Sequence, residues 1–239
     1  MWQIIVHIFP YAIAFAMPLL ITSLGGLFSE RSGVVNIGLE GLMVVGAFAS
    51  AASTVALYPS MGAGAVWVSL LVAMAIGALF SVLHAFASVS LNANQVISGT
   101  AINMIAGALT VFLARTFTGS GNIQLTQGAP RFDVPMLVDV PVLGPLFFHQ
   151  TYGTTWLILL ILALGTFVLY KTPFGLRLRA CGEHPHAADA AGINVFRIRY
   201  AAVMISGALA GLGGATILSP IPGSSTGPSP GWAFWPWPP

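Results

Sequence analysis

Polar side chains that could contact a small solute recur along one predicted helix. Asn92, Gln95, Gly99 and Asn103 follow each other at intervals of three or four residues, which places them on one helical face, and Ser98 lies beside them. Amides both donate and accept hydrogen bonds, so this face suits uncharged polar solutes such as sugars or nucleosides. The same groups could instead join neighbouring helices through hydrogen bonds. The sequence predicts a substrate pathway here and leaves that alternative open.

A second polar pair lies in an otherwise apolar stretch. Asn36 and Glu40 are four residues apart and would share a face of one helix. An ionisable side chain within a membrane is costly and usually faces a protein interior or a watery cavity. We place Glu40 about two turns from the cytoplasmic end of its helix, which favours a role in packing or gate lining over solute contact.

Catalytic and metal-binding patterns are absent from the sequence. A phosphate-binding loop needs a Gly-Lys pair, but the one lysine, Lys171, follows Tyr170. His184 and His186 do not have the spacing of a zinc helix, and Cys181 is the only cysteine. We therefore expect no enzyme activity, no catalytic residues, no metal and no cofactor.

Composition points to a protein that lies within a lipid bilayer. Only 6% of the 239 residues are charged, 56% are hydrophobic, and the mean hydropathy is +0.89. Eight scattered basic residues form no stripe that could follow a phosphate backbone, which argues against nucleic-acid binding. Backbone groups in lipid must be satisfied within their own segment, so the apolar stretches are helices. We predict an all-α polytopic membrane bundle with about six transmembrane helices.

The predicted transmembrane domain covers residues 1–219, and turn signals divide it into spans of roughly the length that a bilayer requires. We expect the spans at about 4–24, 34–57, 64–89, 92–114, 154–170 and 200–218. The intervening segment 115–150 is too polar and proline-rich to cross a membrane, and we predict an external loop. That loop is either a plain connector or a docking surface for an external partner.

The segment 171–199 is predicted to be cytoplasmic. It holds five basic residues against two acidic ones, whereas 115–150 holds two of each, so the positive-inside rule places the N-terminus outside. Within the segment, Pro185 is positioned to start a short alanine-rich helix that Gly192 ends. This helix is either a simple connector or a rigid element presented to a cytoplasmic protein.

The last twenty residues differ in composition from the rest of the chain. Residues 220–239 contain seven of the sixteen prolines and three of the six tryptophans. Such proline density is incompatible with a membrane helix. We expect this tail to be disordered or to lie at the membrane interface.

Three segments together resemble a known transporter family. The run His186-Ala187-Ala188-x-x-x-Gly192 is similar to the Glu-Ala-Ala-x-x-x-Gly coupling pattern of bacterial ATP-binding-cassette (ABC) importer permeases, with His in place of Glu. Residues 29–41 and 94–99 extend the similarity, which covers about 18–215. The combination resembles permeases that work with basic-membrane-lipoprotein-type binding proteins. These are mostly nucleoside importers, related to simple-sugar and branched-chain amino-acid permeases.

The resemblance implies a permease subunit of an ATP-driven importer of nucleosides or simple sugars in the bacterial cytoplasmic (inner) membrane. The implied partners are a cytoplasmic ABC ATPase, a second permease subunit that is identical or different, and an extracellular solute-binding lipoprotein. Contact with the ATPase would fall to the residues of the coupling pattern and its flank, namely Glu183, His186, Ala187, Ala188 and Gly192.

Other interpretations remain open at this stage. The solute could be a branched-chain amino acid or a monosaccharide, or the chain could be a secondary carrier that uses Glu40 as its proton site. Members of the family continue with further spans beyond residues 211–215, whereas this chain enters its proline-rich tail. We therefore also expect a truncated or frameshifted permease, in which transport itself could be lost.

Overall fold

The computed structural model describes residues 2–121, 123–125, 131–133, 144–148, 151–218 and 225–226. Within these ranges the chain forms eight α-helices, a π-helical turn at Phe86–Ser90 and another at Gly144–Phe148. The helices are α1 (Trp2–Arg31), α2 (Leu39–Met61), α3 (Gly64–Ala85), α4 (Gln95–Thr118), α5 (Gly153–Lys171), α6 (Pro173–Glu183), α7 (Pro185–Ala190) and α8 (Val195–Ile217).

Six helical segments in the described part of the chain are long and apolar enough to cross a membrane. They correspond to α1 to α5 and α8, with the π-helical turn continuing α3. The predicted fold class, an all-α polytopic membrane bundle of about six spans, is confirmed. α6 and α7 are the two remaining helices, and both lie in the segment predicted as cytoplasmic.

Four two-residue strands lie outside the helical bundle: β1 (Ile123–Gln124), β2 (Arg131–Phe132), β3 (Thr151–Tyr152) and β4 (Ser225–Thr226). β1 pairs antiparallel with β4, and β2 with β3. Half of the predicted external loop and nearly all of the predicted tail lie outside the described residues. α4 ends at Thr118, within the stretch predicted as loop.

Helix α8 forms the centre of the bundle and packs against α1, α2 and α3. Glycines permit the close approach: a Cβ atom on Gly46 of α2 would overlap the backbone of Gly211, and one on Gly77 of α3 would overlap the carbonyl of Gly207. Small residues one turn apart along α8 therefore bring backbones together, as they commonly do in membrane bundles. The largest buried cluster lies around α8 and includes Ile21 and Leu212.

The connection between α1 and α2 differs from the sequence prediction. α1 continues to Arg31, beyond the expected end at residue 24, and α2 begins at Leu39 instead of residue 34. Gly33 has φ +86°, a left-handed conformation that stops a helix. The chain from Ser32 to Gly38 is consequently non-helical, and we call it the Ser32–Gly38 segment.

Helix ends from distant parts of the sequence meet at one end of the bundle. Arg199 at the start of α8 contacts Ser32 after α1, and the hydroxyls of Tyr200 and Ser90 are hydrogen-bonded. α6 and α7 lie at this same end, packed against α8. We call it the α7 end; it corresponds to the side that the distribution of basic residues predicts to be cytoplasmic.

Candidate functional site

The Ser32–Gly38 segment is the centre of a polar network at the α7 end. Several residues of this non-helical segment are buried, and buried backbone groups require hydrogen-bond partners from the protein. Here side chains supply them. Ser29 donates to the carbonyl of Val34 at 2.6 Å, and the Asn36 side chain accepts from the amide of Gly38 at 3.1 Å. Further partners come from α3, α4 and α8.

Two amides of the predicted α4 face bind this region directly. Gln95 Oε1 accepts a hydrogen bond from the Val35 amide at 2.7 Å. Asn103 Oδ1 accepts from the Gly41 amide at 2.7 Å, and Asn103 Nδ2 donates to the Ile37 carbonyl at 3.2 Å. Gly41 lies in the first turn of α2, where amides have no intrahelical acceptor. Asn103 therefore serves as an N-terminal cap supplied by another helix.

Ser98, the hydroxyl of the predicted pathway, contacts a buried histidine. His84 of α3 has no exposed surface; its Nδ1 lies 3.0 Å from Ser98 Oγ and its Nε2 3.2 Å from the Val35 carbonyl. Because a carbonyl only accepts, Nε2 carries the proton in the neutral ring, and Nδ1 accepts from the serine. His84 was not among the residues predicted from sequence. The sequence feature that could have identified His84 is a single polar ring within the strongly apolar segment that forms α3.

Asn92 is separate from the other predicted pathway residues. It lies in the turn before α4, exposed to the surroundings, with φ +49°. The α4 N-terminus is capped by Asn94, whose Oδ1 accepts from Val96 N at 2.9 Å. The structure thus brings Gln95, Ser98 and Asn103 together against one segment and leaves Asn92 outside that network.

Asn36 and Glu40 do not share a helical face, because α2 begins only at Leu39. Asn36 is buried, and its Nδ2 donates to Ser206 Oγ of α8 at 3.0 Å. Glu40 is exposed in the first turn of α2, where a negative charge is favoured by the helix dipole. The expected pair is therefore divided between a buried interhelical bond and an exposed carboxylate.

The segment Glu183–Gly192, here called the docking segment, has a well-defined local structure. His184 is the N-cap of α7, with Nδ1 accepting from Ala187 N at 3.1 Å, and Pro185 occupies the first helical position. At the other end, the Gly192 amide bonds to Asp189 O at 2.8 Å. With Gly192 at φ +83°, this is a Schellman ending.

The exposure of the docking segment distinguishes surface residues from packed ones. Glu183, His186, Ala187 and Gly192 are exposed, whereas Ala188 is buried, with 5% of its surface accessible. The predicted contact set therefore comprises four residues open to a partner and one that fixes α7 against the rest of the chain.

Arg199 joins the end of α6, just before the docking segment, to the Ser32–Gly38 segment. Its Nε donates to the Ser32 carbonyl at 3.1 Å and one terminal nitrogen donates to the Cys181 carbonyl at 3.3 Å. Cys181 is fully buried in α6. Burial raises the pKa of its thiol, and the charge of nearby Arg199 opposes that rise. In the sequence, Arg199 is one of five basic residues in the segment 171–199, and nothing local indicates these contacts.

A cavity of about 380 Å³ opens between the end of α1 and α6. Its lining contains two acidic and two basic side chains: Leu27, Glu30, Arg31, Arg179, Gly182 and Glu183. Within the described ranges, no three His, Cys, Asp or Glu residues lie close enough to hold a metal ion. The site as a whole offers a network of hydrogen-bonding groups and, in the Glu183–Gly192 segment, a short exposed helix.

Comparison with known proteins identifies a family and several relatives of this chain. The model of the family described as "Branched-chain amino acid transport system / permease component" matches residues 8–235. The chain is 49% identical to the guanosine ABC transporter permease protein NupQ of Bacillus subtilis, over 92% of this chain and 69% of that protein. It is 46% identical to the nucleoside ABC transporter permease protein NupC of Lactococcus lactis, over 88% and 66% of the two lengths.

A more distant relative has a sugar in its name. The putative glucose ABC transporter permease protein TsgC13 of Haloferax volcanii is 40% identical over 84% of this chain and 59% of that protein. The chain thus matches between 59% and 69% of the length of these three relatives. No solved structure matches it.

Proposed function

Because this chain belongs to the family of permease components of branched-chain amino acid transport systems, we propose that it is the membrane-spanning subunit of an ATP-driven nucleoside importer. The family resemblance drawn from the sequence motifs is confirmed, and the chain is a multi-pass membrane protein. The observation that carries the proposal is the 49% identity to a guanosine permease over 92% of the chain. The membrane would be the bacterial cytoplasmic membrane.

ATP hydrolysis is assigned to a partner subunit in this proposal. The sequence contains no Gly-Lys phosphate-binding loop, and the exposed, doubly capped α7 offers a surface for a cytoplasmic ATPase. Glu183, His186, Ala187 and Gly192 would contact the ATPase, while buried Ala188 holds α7 in place. A second permease subunit and an extracellular solute-binding lipoprotein complete the proposed assembly.

The solute pathway would run beside the amide face of α4. Gln95 and Asn103 each use part of their hydrogen-bonding capacity on the Ser32–Gly38 region. A carbonyl oxygen has two lone pairs and an amide nitrogen two protons, so capacity remains for a nucleoside. Asn92 is exposed in the turn that precedes α4.

The proposal is tested by uptake. The chain is expressed with the proposed ATPase, second permease and lipoprotein in cells that lack nucleoside uptake, and radiolabelled guanosine accumulation is measured. We expect uptake that requires ATP and that excess unlabelled nucleoside blocks. Competition by glucose or leucine instead would reassign the solute to a sugar or a branched-chain amino acid.

A matched experiment separates this proposal from a proton-driven carrier. The chain alone is reconstituted in liposomes under a proton gradient, with a Glu40→Gln variant as control. We expect no guanosine uptake in either case. Uptake by the wild-type chain alone that Glu40→Gln abolishes would contradict the need for an ATPase.

A further inference from the structure

Arg199 bridges two segments that are far apart in sequence. From the first turns of α8 it donates to the carbonyl of Ser32, immediately after α1, and to the carbonyl of Cys181 in the last turn of α6. Carbonyls at helix C-termini have no intrahelical donor, and a cation there is also favoured by the helix dipole. One guanidinium therefore serves the C-terminal ends of α1 and α6 at once.

Glycine packing leaves no space between these two helix ends. A Cβ atom on Gly182 would overlap the carbonyl oxygen of Arg31, and one on Gly33 would lie 3.0 Å from a terminal nitrogen of Arg199. Gly182 directly precedes Glu183, the first residue of the docking segment. A displacement of the end of α6, which leads into α7, away from α1 has to stretch the hydrogen bonds of Arg199 to Ser32 and Cys181.

The Ser32–Gly38 segment extends this connection to the predicted pathway. Beyond Ser32, Gln95 holds the amide of Val35, and Asn103 holds the Ile37 carbonyl and the Gly41 amide. These two side chains belong to the α4 face. A connection therefore runs from Cys181, near the end of α6 just before the docking segment, through the hydrogen bonds of Arg199 to Ser32, along the backbone of the Ser32–Gly38 segment, and through Gln95 and Asn103 to α4.

We infer that Arg199 is a positioning residue that transmits movement of the docking segment to the Ser32–Gly38 segment and thereby to the pathway face of α4. The inference rests on the proposed function, since an ATPase must move the docking segment. A guanidinium suits this role because its rigid donors reach two carbonyls in different directions. The link lies within the chain and does not require Arg199 to touch solute or ATPase.

The test uses the complete reconstituted transporter and compares uptake with ATP hydrolysis. Arg199→Gln is paired with Arg197→Gln, which alters an exposed arginine on the same helical turn. We expect Arg199→Gln to retain ATP hydrolysis while guanosine imported per ATP falls about tenfold, a coupling loss in the usual range. Arg197→Gln should keep the wild-type ratio. A merely structural defect would lower both activities together.

Gly182→Ala and its control Gly64→Ala test the same link while Arg199 stays intact. Gly182→Ala forces α6 away from the Arg31 carbonyl, whereas Gly64→Ala adds a Cβ into open space at the other end of the bundle. We expect the first to lower guanosine imported per ATP and the second to leave it unchanged. Arg199→Lys should give an intermediate ratio, because one ammonium group does not reproduce the guanidinium fork.

The outcomes separate the inference from the proposed function. A wild-type complex without ATP-driven guanosine uptake contradicts the proposed function. If the wild-type complex imports guanosine, and Arg199→Gln and Gly182→Ala both keep the wild-type amount of guanosine imported per ATP, the inference about Arg199 is contradicted. The proposed function is then unaffected. If Arg199→Gln does not assemble, the ratio measured for Gly182→Ala decides the question.

Discussion

Asn103 of α4 caps the first turn of α2 by accepting a hydrogen bond from the Gly41 amide at 2.7 Å. The fit is tight, since a Cβ atom on Gly41 would lie 2.8 Å from Asn103 Oδ1. The same side chain donates to the Ile37 carbonyl at 3.2 Å. One amide thus joins α4 to both sides of the point where α2 begins.

Replacing Asn103 by Leu should destabilise the bundle. The Gly41 amide, in a buried residue, would lose its acceptor, which costs about 1–3 kcal/mol for a group left unsatisfied, and the carbonyl of exposed Ile37 would lose a donor that water can replace. Thermal unfolding in detergent measures the effect, with Asn92→Gly as the control because Asn92 is exposed and has φ +49°, which glycine adopts readily. An unchanged Tm combined with a raised KM for guanosine would instead make Asn103 a solute ligand without a structural role.

Gly46→Ala should prevent close packing of α2 on α8. The added methyl group would overlap the Gly211 backbone, and forcing extra volume into a packed core costs about 1–3 kcal/mol. We expect a lower Tm in detergent. Gly107→Ala, where nothing lies within 4 Å of the new Cβ, should keep or slightly raise the Tm. Equal melting of both variants would show that α2 and α8 are not packed at Gly46.

Ala187→Glu should abolish association with the ATPase without unfolding the chain. Ala187 is exposed on α7, so the substitution changes a surface, whereas a change at buried Ala188 would alter packing. Co-purification of the ATPase with the tagged permease gives the measurement. Ala63→Glu, an exposed site in the turn between α2 and α3, is the control. Retained association of Ala187→Glu would exclude α7 as the docking surface.

Gly192→Ala should weaken the end of α7. Gly192 has φ +83°, and a residue with a Cβ pays about 1–2 kcal/mol to adopt that conformation. Hydrogen exchange of the α7 amides should become faster, and ATPase binding weaker. Gly192→Asn should be milder because asparagine tolerates left-handed conformations. Identical exchange in Ala and Asn variants would show that the left-handed turn contributes nothing to α7.

Cys181 should react slowly with maleimide in the folded protein. Burial raises the pKa of its thiol, with Arg199 opposing, so less thiolate is present at neutral pH than in an exposed cysteine. The rate should increase as pH rises. The measurement follows labelling from pH 7 to pH 9, with denatured protein as the reference. Fast labelling of the native chain at pH 7 would contradict the buried position.

Sidedness therefore needs a different reporter. His186→Cys in a Cys181→Ala background places one thiol on the exposed docking segment. An impermeant maleimide should label it in inside-out vesicles and leave it unlabelled in intact cells. Labelling from outside would place the α7 end on the external side and remove the proposed contact with a cytoplasmic ATPase.

The number of spans and their helical structure could be predicted from the sequence, because the thickness of the bilayer sets the length of apolar helix needed to cross it. Helix ends at the α7 end are less predictable. Apart from Asn36, residues 34–38 continue the apolar stretch. The break there depends on the left-handed Gly33 and on side chains from α3, α4 and α8. Such tertiary partners have no signature in the local sequence.

The start of α6 has a recognisable sequence signal, although no helix was predicted there. Thr172 and Pro173 form an N-cap followed by proline at the first helical position, and Thr172 Oγ1 accepts from the Gly175 amide at 3.3 Å. For α7, the proline and glycine signals predicted both ends correctly. Arg199 gave no local signal, since its partners are carbonyls 167 and 18 residues away.

The Ser32–Gly38 segment also sets an order for biosynthesis. Ser32 and Asn36 find their partners on Arg199 and Ser206 of α8, which leaves the ribosome after α1 to α7. A nascent chain that has inserted only α1 and α2 must leave these backbone and amide groups hydrated at the membrane surface. The α1–α2 hairpin therefore reaches its final structure only after α8 has been translated.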